Sequence, residues 1–263
     1  MGIKQVIPGE GIGNAKVGDM NPYKFMGETY VEVAELTKAL ALNWTEGKKQ
    51  LFRGILSGFF KGCNPELAGF CIDAEEEATR INGRDDMIFW KLLYKLSPNT
   101  TDFYWKGHTY QGLPALGREI LEKLWKNDTS SNLYYYGILE EKMLSNYVAI
   151  KADKNKALAE AVKGLEDGHK MADTGRAKKK NLYLMAYMLS GQKLMHFDGK
   201  EFRTVGEFAD YMKELLDESY ERFEAVCHKL IDYEDNLDVQ FESWLLALGK
   251  KKELNSWREN IRG

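Results

Sequence analysis

The stretch Phe25-Met26-Gly27-Glu28-Thr29-Tyr30 decides the fold, because related stretches occur twice more in the chain. The second is Trp105-Lys106-Gly107-His108-Thr109-Tyr110, and the third is Phe197-Asp198-Gly199-Lys200-Glu201-Phe202. Each has the form aromatic-x-Gly-x-x-aromatic, and an apolar residue follows three places later. Copies about 80 to 90 residues apart indicate a diverged internal repeat, and an internal repeat constrains the architecture.

The third copy shows what each motif encodes. Asp198-Gly199 is a strong signal for a type I′ turn between two short strands. Thr204 and Glu207 then have the spacing of a capping box, so a helix should follow. Further runs of apolar residues at helical spacing lie before and after the motifs. The sequence therefore predicts a mainly α fold of about three helix–hairpin–helix–helix repeats, stacked into an elongated or curved body.

The same reading divides the chain into segments. Residues 1–22 are rich in glycine and are predicted to form a flexible N-terminal arm. The three repeats are predicted to span 23–85, 86–168 and 181–263. The segment 169–180 is polar, with one methionine as its only large apolar residue, and is predicted to be a linker.

Composition limits the class of protein. The chain has 263 residues, of which 44% are hydrophobic and 29% charged, as in ordinary soluble globular proteins. The net charge of −3 lacks the basic excess of most nucleic-acid-binding domains. Three cysteines without a CxxC pair favour a reducing compartment. With no signal stretch and no long apolar run, we expect a cytoplasmic protein that has no membrane partner.

The densest aromatic region is the first candidate site. A run of three tyrosines cannot place every ring in a core, and tyrosine is enriched at protein–protein hot spots. Packing of these rings in the core is the alternative interpretation. The candidate partner-binding residues are Trp125, Tyr134, Tyr135, Tyr136 and Tyr147.

An acidic run is the second candidate site. On a helix, Asp73 would share a face with Glu76 or Glu77, as paired carboxylates do in some metal-binding bundles. A solvated acidic helix face is the alternative that the sequence favours. We therefore predict no metal and no cofactor, and keep an enzyme or metal-binding protein as the second hypothesis.

A basic run is the third candidate site. Arg176, Lys178, Lys179 and Lys180 lie in the predicted linker and could neutralise phosphates of a nucleic acid. No aromatic residue interrupts this run, so a solvated surface is the simpler interpretation. Nucleic-acid association is therefore the third hypothesis.

Several strings resemble a known kind of sequence. The region from Tyr30 to Phe60, with Asn43-Trp44 and Gly47-Lys48-Lys49, is similar to repeat regions that follow the kinase domain in some Firmicute serine/threonine-kinase-like proteins. Trp244-Leu245-Leu246-Ala247-Leu248-Gly249-Lys250 shares this resemblance. It covers most of the chain after residue 21 and implies a bacterial origin and an adaptor or regulatory role. No catalytic residue can be transferred, because the sequence contains no kinase motif.

The leading hypothesis is a protein-binding repeat module. It would act as an adaptor, regulator or inhibitor of a larger bacterial or phage protein complex. The sequence contains no P-loop, dinucleotide-binding fingerprint, nucleophile elbow or zinc-protease motif, so an enzyme is the less favoured class.

Overall fold

The structure, a computed structural model, describes residues 22–81, 83–151, 155–231 and 236–262. These residues contain fourteen α-helices and three two-stranded antiparallel hairpins, which confirms the mainly helical class with small hairpins. None of the described helices combines the length and apolar character needed to cross a membrane.

In the described residues, five α-helices separate each hairpin from the next, where the predicted repeat of helix, hairpin, helix and helix would place three. The strands are β1 (Tyr23–Phe25), β2 (Glu28–Tyr30), β3 (Phe103–Trp105), β4 (His108–Tyr110), β5 (Met195–Phe197) and β6 (Lys200–Phe202). Between the first two hairpins lie α1 (Val33–Leu42), α2 (Trp44–Phe52), α3 (Ile55–Lys61), α4 (Pro65–Arg80) and α5 (Asp85–Leu96). Between the second and third lie α6 (Gly112–Trp125), α7 (Asn132–Glu140), α8 (Met143–Ile150), α9 (Lys156–Met171) and α10 (Gly175–Ser190). The last helices are α11 (Val205–Glu218), α12 (Tyr220–Lys229), α13 (Val239–Ala247) and α14 (Lys251–Arg262).

The repeated motif forms the same turn in every copy. Its two central residues have φ of 51° and 85° at Met26-Gly27, 37° and 90° at Lys106-Gly107, and 50° and 76° at Asp198-Gly199. Positive φ at both positions is the signature of the type I′ turn, whose twist matches that of the flanking strands. Glycine at the second position adopts this conformation without steric cost. The motif is therefore a backbone requirement of a hairpin.

The predicted capping box starts α11. The Thr204 hydroxyl accepts a hydrogen bond from the Glu207 backbone N–H at 3.1 Å. The Glu207 carboxylate in turn accepts from the backbone N–H of Arg203 at 2.7 Å, one residue before the position expected for a capping box. In the first copy Glu32 precedes α1 without a side-chain cap, as its weaker sequence signal predicts.

The chain divides into two compact units, residues 1–111 and 112–263. This division falls between β4 and α6, inside the segment 86–168 that the sequence predicts as one repeat. Hairpin β3–β4 therefore belongs to the N-terminal unit and its following helix to the C-terminal unit. Contacts from α5, the helix before this hairpin, explain why the hairpin belongs to the N-terminal unit.

In the N-terminal unit, α5 holds hairpin β3–β4 through buried side chains. The Trp90 indole N–H donates to the backbone carbonyl of Tyr104 at 2.8 Å. The Tyr94 hydroxyl donates to the carbonyl of Asp102 at 3.0 Å. Helix α1 packs against β1, β2 and β4 of the same unit. The hairpin is therefore covered by a helix that precedes it and by the helix of the preceding copy.

In the C-terminal unit, α6 and α10 approach each other closely. A Cβ atom added to Gly117 would lie 2.4 Å from the Ser190 backbone nitrogen and 2.9 Å from the Ala186 carbonyl oxygen, so only glycine fits. Hairpin β5–β6 is held from α13, where the Trp244 indole N–H donates to the Lys193 carbonyl at 3.1 Å. This unit thus packs its core around α6, α10 and α13.

The predicted linker 169–180 is mostly helical. It contains the end of α9 and the start of α10, and only residues 172–174 lie outside a helix. Thr174 caps α10 by accepting a hydrogen bond from the Ala177 backbone N–H at 3.1 Å, which lets the polar run begin a helix. The predicted N-terminal arm, except for its last residue, lies outside the described residues.

Candidate functional site

Helices α7, α8 and α9 of the C-terminal unit meet at a sharp corner. Lys142 separates α7 from α8 and has φ of 55°, a left-handed conformation that turns the chain between the two helices. The Lys142 side chain does not cap α8. The first backbone N–H groups of α8 therefore need acceptors from elsewhere in the fold.

Glu166 of α9 supplies such an acceptor. Its carboxylate accepts from the Ser145 backbone N–H at 3.0 Å and from the Ser145 hydroxyl, while its residue is only 2% exposed. Burial raises the pKa of Glu166, and the hydrogen bonds from Ser145 offset part of that increase. A buried carboxylate on one helix thus replaces the missing N-cap side chain of another, where the helix dipole favours negative charge.

His169 lies one turn after Glu166 and contacts α7. Its Nε2 atom is 3.4 Å from the Glu140 carboxylate, and its ring centroid is 5.1 Å from that of Tyr136. The residue is 1% exposed, and its buried Nδ1 atom has no hydrogen-bond partner. Burial lowers the pKa of His169, although the hydrogen bond and charge of Glu140 act in the opposite direction. At neutral pH this imidazole is therefore neutral.

These contacts fix the direction of α9 against α7 and α8. Glu166 meets Ser145, Asp167 pairs with Lys142 at 3.4 Å, and His169 meets Glu140. Residues later in α9 thus contact residues earlier in α7 and α8, so α9 runs antiparallel to α7. The last residue of α9 accordingly lies toward the first turn of α7.

Two apolar side chains are exposed at this end of the helix pair. Met171, the last residue of α9, is 83% exposed, and Leu133, in the first turn of α7, is 81% exposed. We call this pair the α7–α9 edge. Scattered exposed apolar residues are common in folded proteins, so this pair is distinguished by its shared position on the helix pair rather than by exposure alone.

The predicted partner-binding aromatics do not form this edge. The five residues do belong to the C-terminal unit, but Tyr135 is 2% exposed and Tyr147 is 9% exposed. The Tyr135 hydroxyl donates to Glu119 at 2.7 Å. Trp125 is half-buried and stacks on His196, with ring centroids 3.9 Å apart. Tyr134 and Tyr136 are half-buried on α7. Burial of Tyr135 and Tyr147 corrects the prediction that these two could contact a partner.

The predicted nucleic-acid residues are mostly engaged in ion pairs. Arg176 pairs with Glu242 at 2.8 Å, Lys180 pairs with Glu242 at 2.5 Å, and Lys178 is 3.8 Å from Glu140. Lys179 is half-buried on the same helix. Charges that neutralise carboxylates within the fold contribute less to the neutralisation of phosphates. The structure therefore does not favour the basic run as a nucleic-acid surface.

Glu242 is the centre of this ionic cluster. It is 4% exposed on α13 and also pairs with Arg258 of α14. Burial alone would raise the pKa of Glu242, but the hydrogen bond and charge of Lys180 and the charges of Arg258 and Arg176 outweigh it and lower the pKa. The cluster holds α10, α13 and α14 together.

The predicted acidic site does not form a metal-binding cluster. Asp73 and Glu76 are exposed on α4, and Glu77 lies 3.9 Å from Lys91. Within the described residues, no group of three or more histidine, cysteine or acidic side chains could hold a metal ion. The acids of α4 therefore match the alternative interpretation, a solvated helix face.

The residues that build the corner do not stand out in the sequence. The signal available was Glu166-x-x-His169, which places both side chains on one face of α9. Their importance depends on Ser145 and Glu140, which lie more than twenty residues away in sequence. Leu133 was overlooked because its tyrosine neighbours dominate the pattern.

Comparisons with protein-family models, with curated proteins and with solved structures find no match for the chain. The resemblance to repeat regions of Firmicute kinase-like proteins therefore stays a prediction. The function proposed below depends on the geometry of the α7–α8 corner and on the α7–α9 edge.

Proposed function

We propose that this chain is a protein-binding module and that its α7–α9 edge contacts the partner. One observation carries the proposal: Leu133 and Met171, both more than four-fifths exposed, lie at the same end of an antiparallel helix pair. Burying one such side chain contributes about 1.5 to 3 kcal/mol, so two supply a useful part of a binding free energy.

The contacts that hold α9 against α7 and α8 support this assignment. Glu166 and His169 hold α9 against the α7–α8 corner through contacts that require defined geometry. Tyr134 and Tyr136 are half-buried on α7, and Tyr136 packs against His169 with ring centroids 5.1 Å apart. A rigid platform that presents apolar side chains loses less entropy on binding than a flexible one.

The kind of partner follows from the resemblance described above. We propose that the chain acts as an adaptor, regulator or inhibitor of a larger bacterial or phage protein complex.

We also propose that the three hairpin–helix segments are stacked repeats. Within the N-terminal unit, Trp44 at the start of α2 packs against Trp105 of the next hairpin, with centroids 6.2 Å apart. Within the C-terminal unit, Trp125 at the end of α6 stacks on His196 of the following hairpin. An aromatic residue near the end of the first helix of a copy thus contacts the hairpin of the next copy.

The first hairpin supports the same arrangement from its outer face. The central residue of the first strand is fully covered in hairpin β3–β4, where it is Tyr104, and exposed in hairpin β1–β2, where it is Lys24. A polar outer face is what a repeat at the end of a stack requires. An elongated body would follow from such stacking.

The α7–α9 edge is tested by quantitative capture of proteins from a lysate of the source organism. The full chain carries Leu133→Asp together with Met171→Asp, and the matched control carries Ile55→Asp, an exposed apolar residue of the N-terminal unit. We expect a partner retained by the wild type and the control to be reduced at least about tenfold with the double variant. A partner retained equally by all three proteins would contradict the assignment, as would the absence of any retained protein.

A further inference from the structure

Helix α11 exposes a stripe that its counterparts bury. Ala209, Lys213 and Leu216 form this stripe at helical spacing, and all three residues are exposed. Leu216 keeps 47% of its surface exposed. The three copies can be aligned on Val33, Leu113 and Val205. In this alignment the stripe of α11 corresponds to Thr37, Ala41 and Trp44 in the first copy. In the second copy it corresponds to Gly117, Leu121 and Leu124. All six equivalents are buried.

In the second copy, another helix covers the equivalent stripe of α6. Helix α10 packs along α6, and its Ala186 and Ser190 backbone atoms approach Gly117 so closely that a Cβ atom would not fit. The stripe of α6 is therefore a packing surface for another helix. Ala209 of α11 carries the Cβ atom that Gly117 lacks, so a helix docked on α11 would lie farther from it than α10 lies from α6.

Tyr220 is a second large apolar residue exposed near the end of α11. It begins α12 and is 65% exposed, and its ring centroid is 6.5 Å from that of Phe223 in the same helix. Tyrosine is among the residues enriched at binding hot spots.

Acidic residues line one side of the stripe. Asp210, Glu214 and Asp217 are exposed and follow the stripe at helical spacing, whereas Lys213 is its one cation. A helix that docks here would gain from basic residues facing these carboxylates, because charge complementarity selects partners and raises association rates.

We propose that the outer face of α11 binds a basic amphipathic helix supplied by another polypeptide. The apolar residues of that helix would cover Ala209, Leu216 and Tyr220, and its basic residues would face Asp210, Glu214 and Asp217. Helix α10 shows the required chemistry, since Gly175–Ser190 combines four cations near its start with an apolar second half and contains no acid. This surface is separate from the α7–α9 edge.

A labelled peptide tests the proposal directly. A synthetic peptide with the sequence 175–190 and an N-terminal fluorescein is titrated with the full chain, and binding is followed by fluorescence anisotropy. We expect saturable binding that weakens at least about tenfold with Leu216→Asp and with Asp217→Lys. Added salt should weaken it further, and a peptide with its four cations replaced by glutamine should bind less well.

Two controls make each outcome decisive. Leu133→Asp should leave peptide affinity unchanged, so that failure of this proposal and failure of the α7–α9 edge can be told apart. All substituted residues are exposed, and unchanged circular dichroism would show that the variants fold. Absence of saturable binding, or equal affinity in the α11 variants, would overturn the proposal. Self-association of the wild type that Leu216→Asp abolishes would also overturn it, by making a second copy the occupant.

Discussion

The two compact units bury different kinds of polar side chain. Among the described residues, the N-terminal unit buries three hydroxyl side chains outside its tyrosines, namely Thr37, Ser57 and Ser97. The C-terminal unit buries two carboxylates and an imidazole in addition to an amide and a hydroxyl. These residues are Glu166, His169, Gln240, Glu242 and Ser243.

The two units are therefore stabilised by different kinds of interaction. A buried hydroxyl such as that of Thr37 donates to a carbonyl of its own helix, at 2.7 Å, and does not change charge. A buried carboxylate or imidazole needs partners on other helices and responds to pH. The N-terminal unit thus depends mainly on aromatic and aliphatic packing, while the C-terminal unit also depends on ionic contacts between helices.

The largest effect should come from removing the charge at the centre of the ionic cluster. Glu242→Gln leaves Arg176, Lys180 and Arg258 around a neutral side chain, and loss of one partner from a buried ion pair costs about 3 to 5 kcal/mol. The matched change in the N-terminal unit is Asp86→Asn.

Asp86 accepts from Trp44 and Lys48, but its side chain is 28% exposed, so we expect a smaller loss. Urea denaturation, with hydrogen exchange to assign the loss to each unit, measures both values. Equal losses in the two variants would remove the proposed difference between the units.

Close helix packing should be common to both units, and glycine substitutions test this. Gly117→Ala places a Cβ atom 2.4 Å from the Ser190 nitrogen, and Gly47→Ala places one 2.7 Å from the Leu40 carbonyl oxygen. Both should reduce the free energy of unfolding by about 1 to 3 kcal/mol, as overpacking does.

Gly164→Ala is the control for these two changes. This glycine lies within α9 and has no neighbour within 4 Å of an added Cβ atom. The substitution should stabilise the protein by about 0.5 to 1 kcal/mol, because alanine favours the helix. Destabilisation by Gly164→Ala similar to that of Gly117→Ala would show that the close approach is not the cause.

The pH dependence of the free energy of unfolding should reveal the contribution of His169 in the C-terminal unit. Because burial lowers its pKa, neutral His169 contributes stability that is present above the unfolded-state pKa of about 6.5 and is lost as the pH falls through the lower folded-state pKa. Glu166 acts oppositely: its raised pKa adds stability at acidic pH that is lost as the pH rises through that pKa.

The variants His169→Gln and Glu166→Gln isolate these two contributions. Between pH 7 and pH 5, His169→Gln should reduce the decline in unfolding free energy, and Glu166→Gln should increase it. The free energy of unfolding measured in urea at each pH gives the slopes, and identical slopes for the wild type and both variants would contradict the assignment.

The local elements could be predicted from the sequence because their causes are local. Asp198-Gly199 specifies its turn, and Thr204 with Glu207 starts a helix, whatever the rest of the chain does. The segment predicted to be a linker, 169–180, is mostly helical and makes contacts that are distant in sequence. Its cations become helical once Thr174 caps α10, and the acid that pairs with Lys180 lies 62 residues later.

The candidate site was harder to predict because it depends on which helices meet. Three adjacent tyrosines directed the prediction to α7, but only contacts with α6 and α9 determine that Tyr135 is buried and Leu133 is exposed. A hydrophobic pattern within α7 does not contain that information.

Photo-crosslinking at the α7–α9 edge tests the central claim most directly. The full chain carries a benzophenone amino acid at position 133 and is irradiated in a lysate of the source organism, with position 81, an exposed isoleucine of the N-terminal unit, as the matched control. We predict a discrete crosslinked protein from position 133 that is lost on adding Met171→Asp and is absent from position 81. No product from position 133, or a product that Met171→Asp leaves unchanged, would contradict the assignment of this edge as the protein-binding surface.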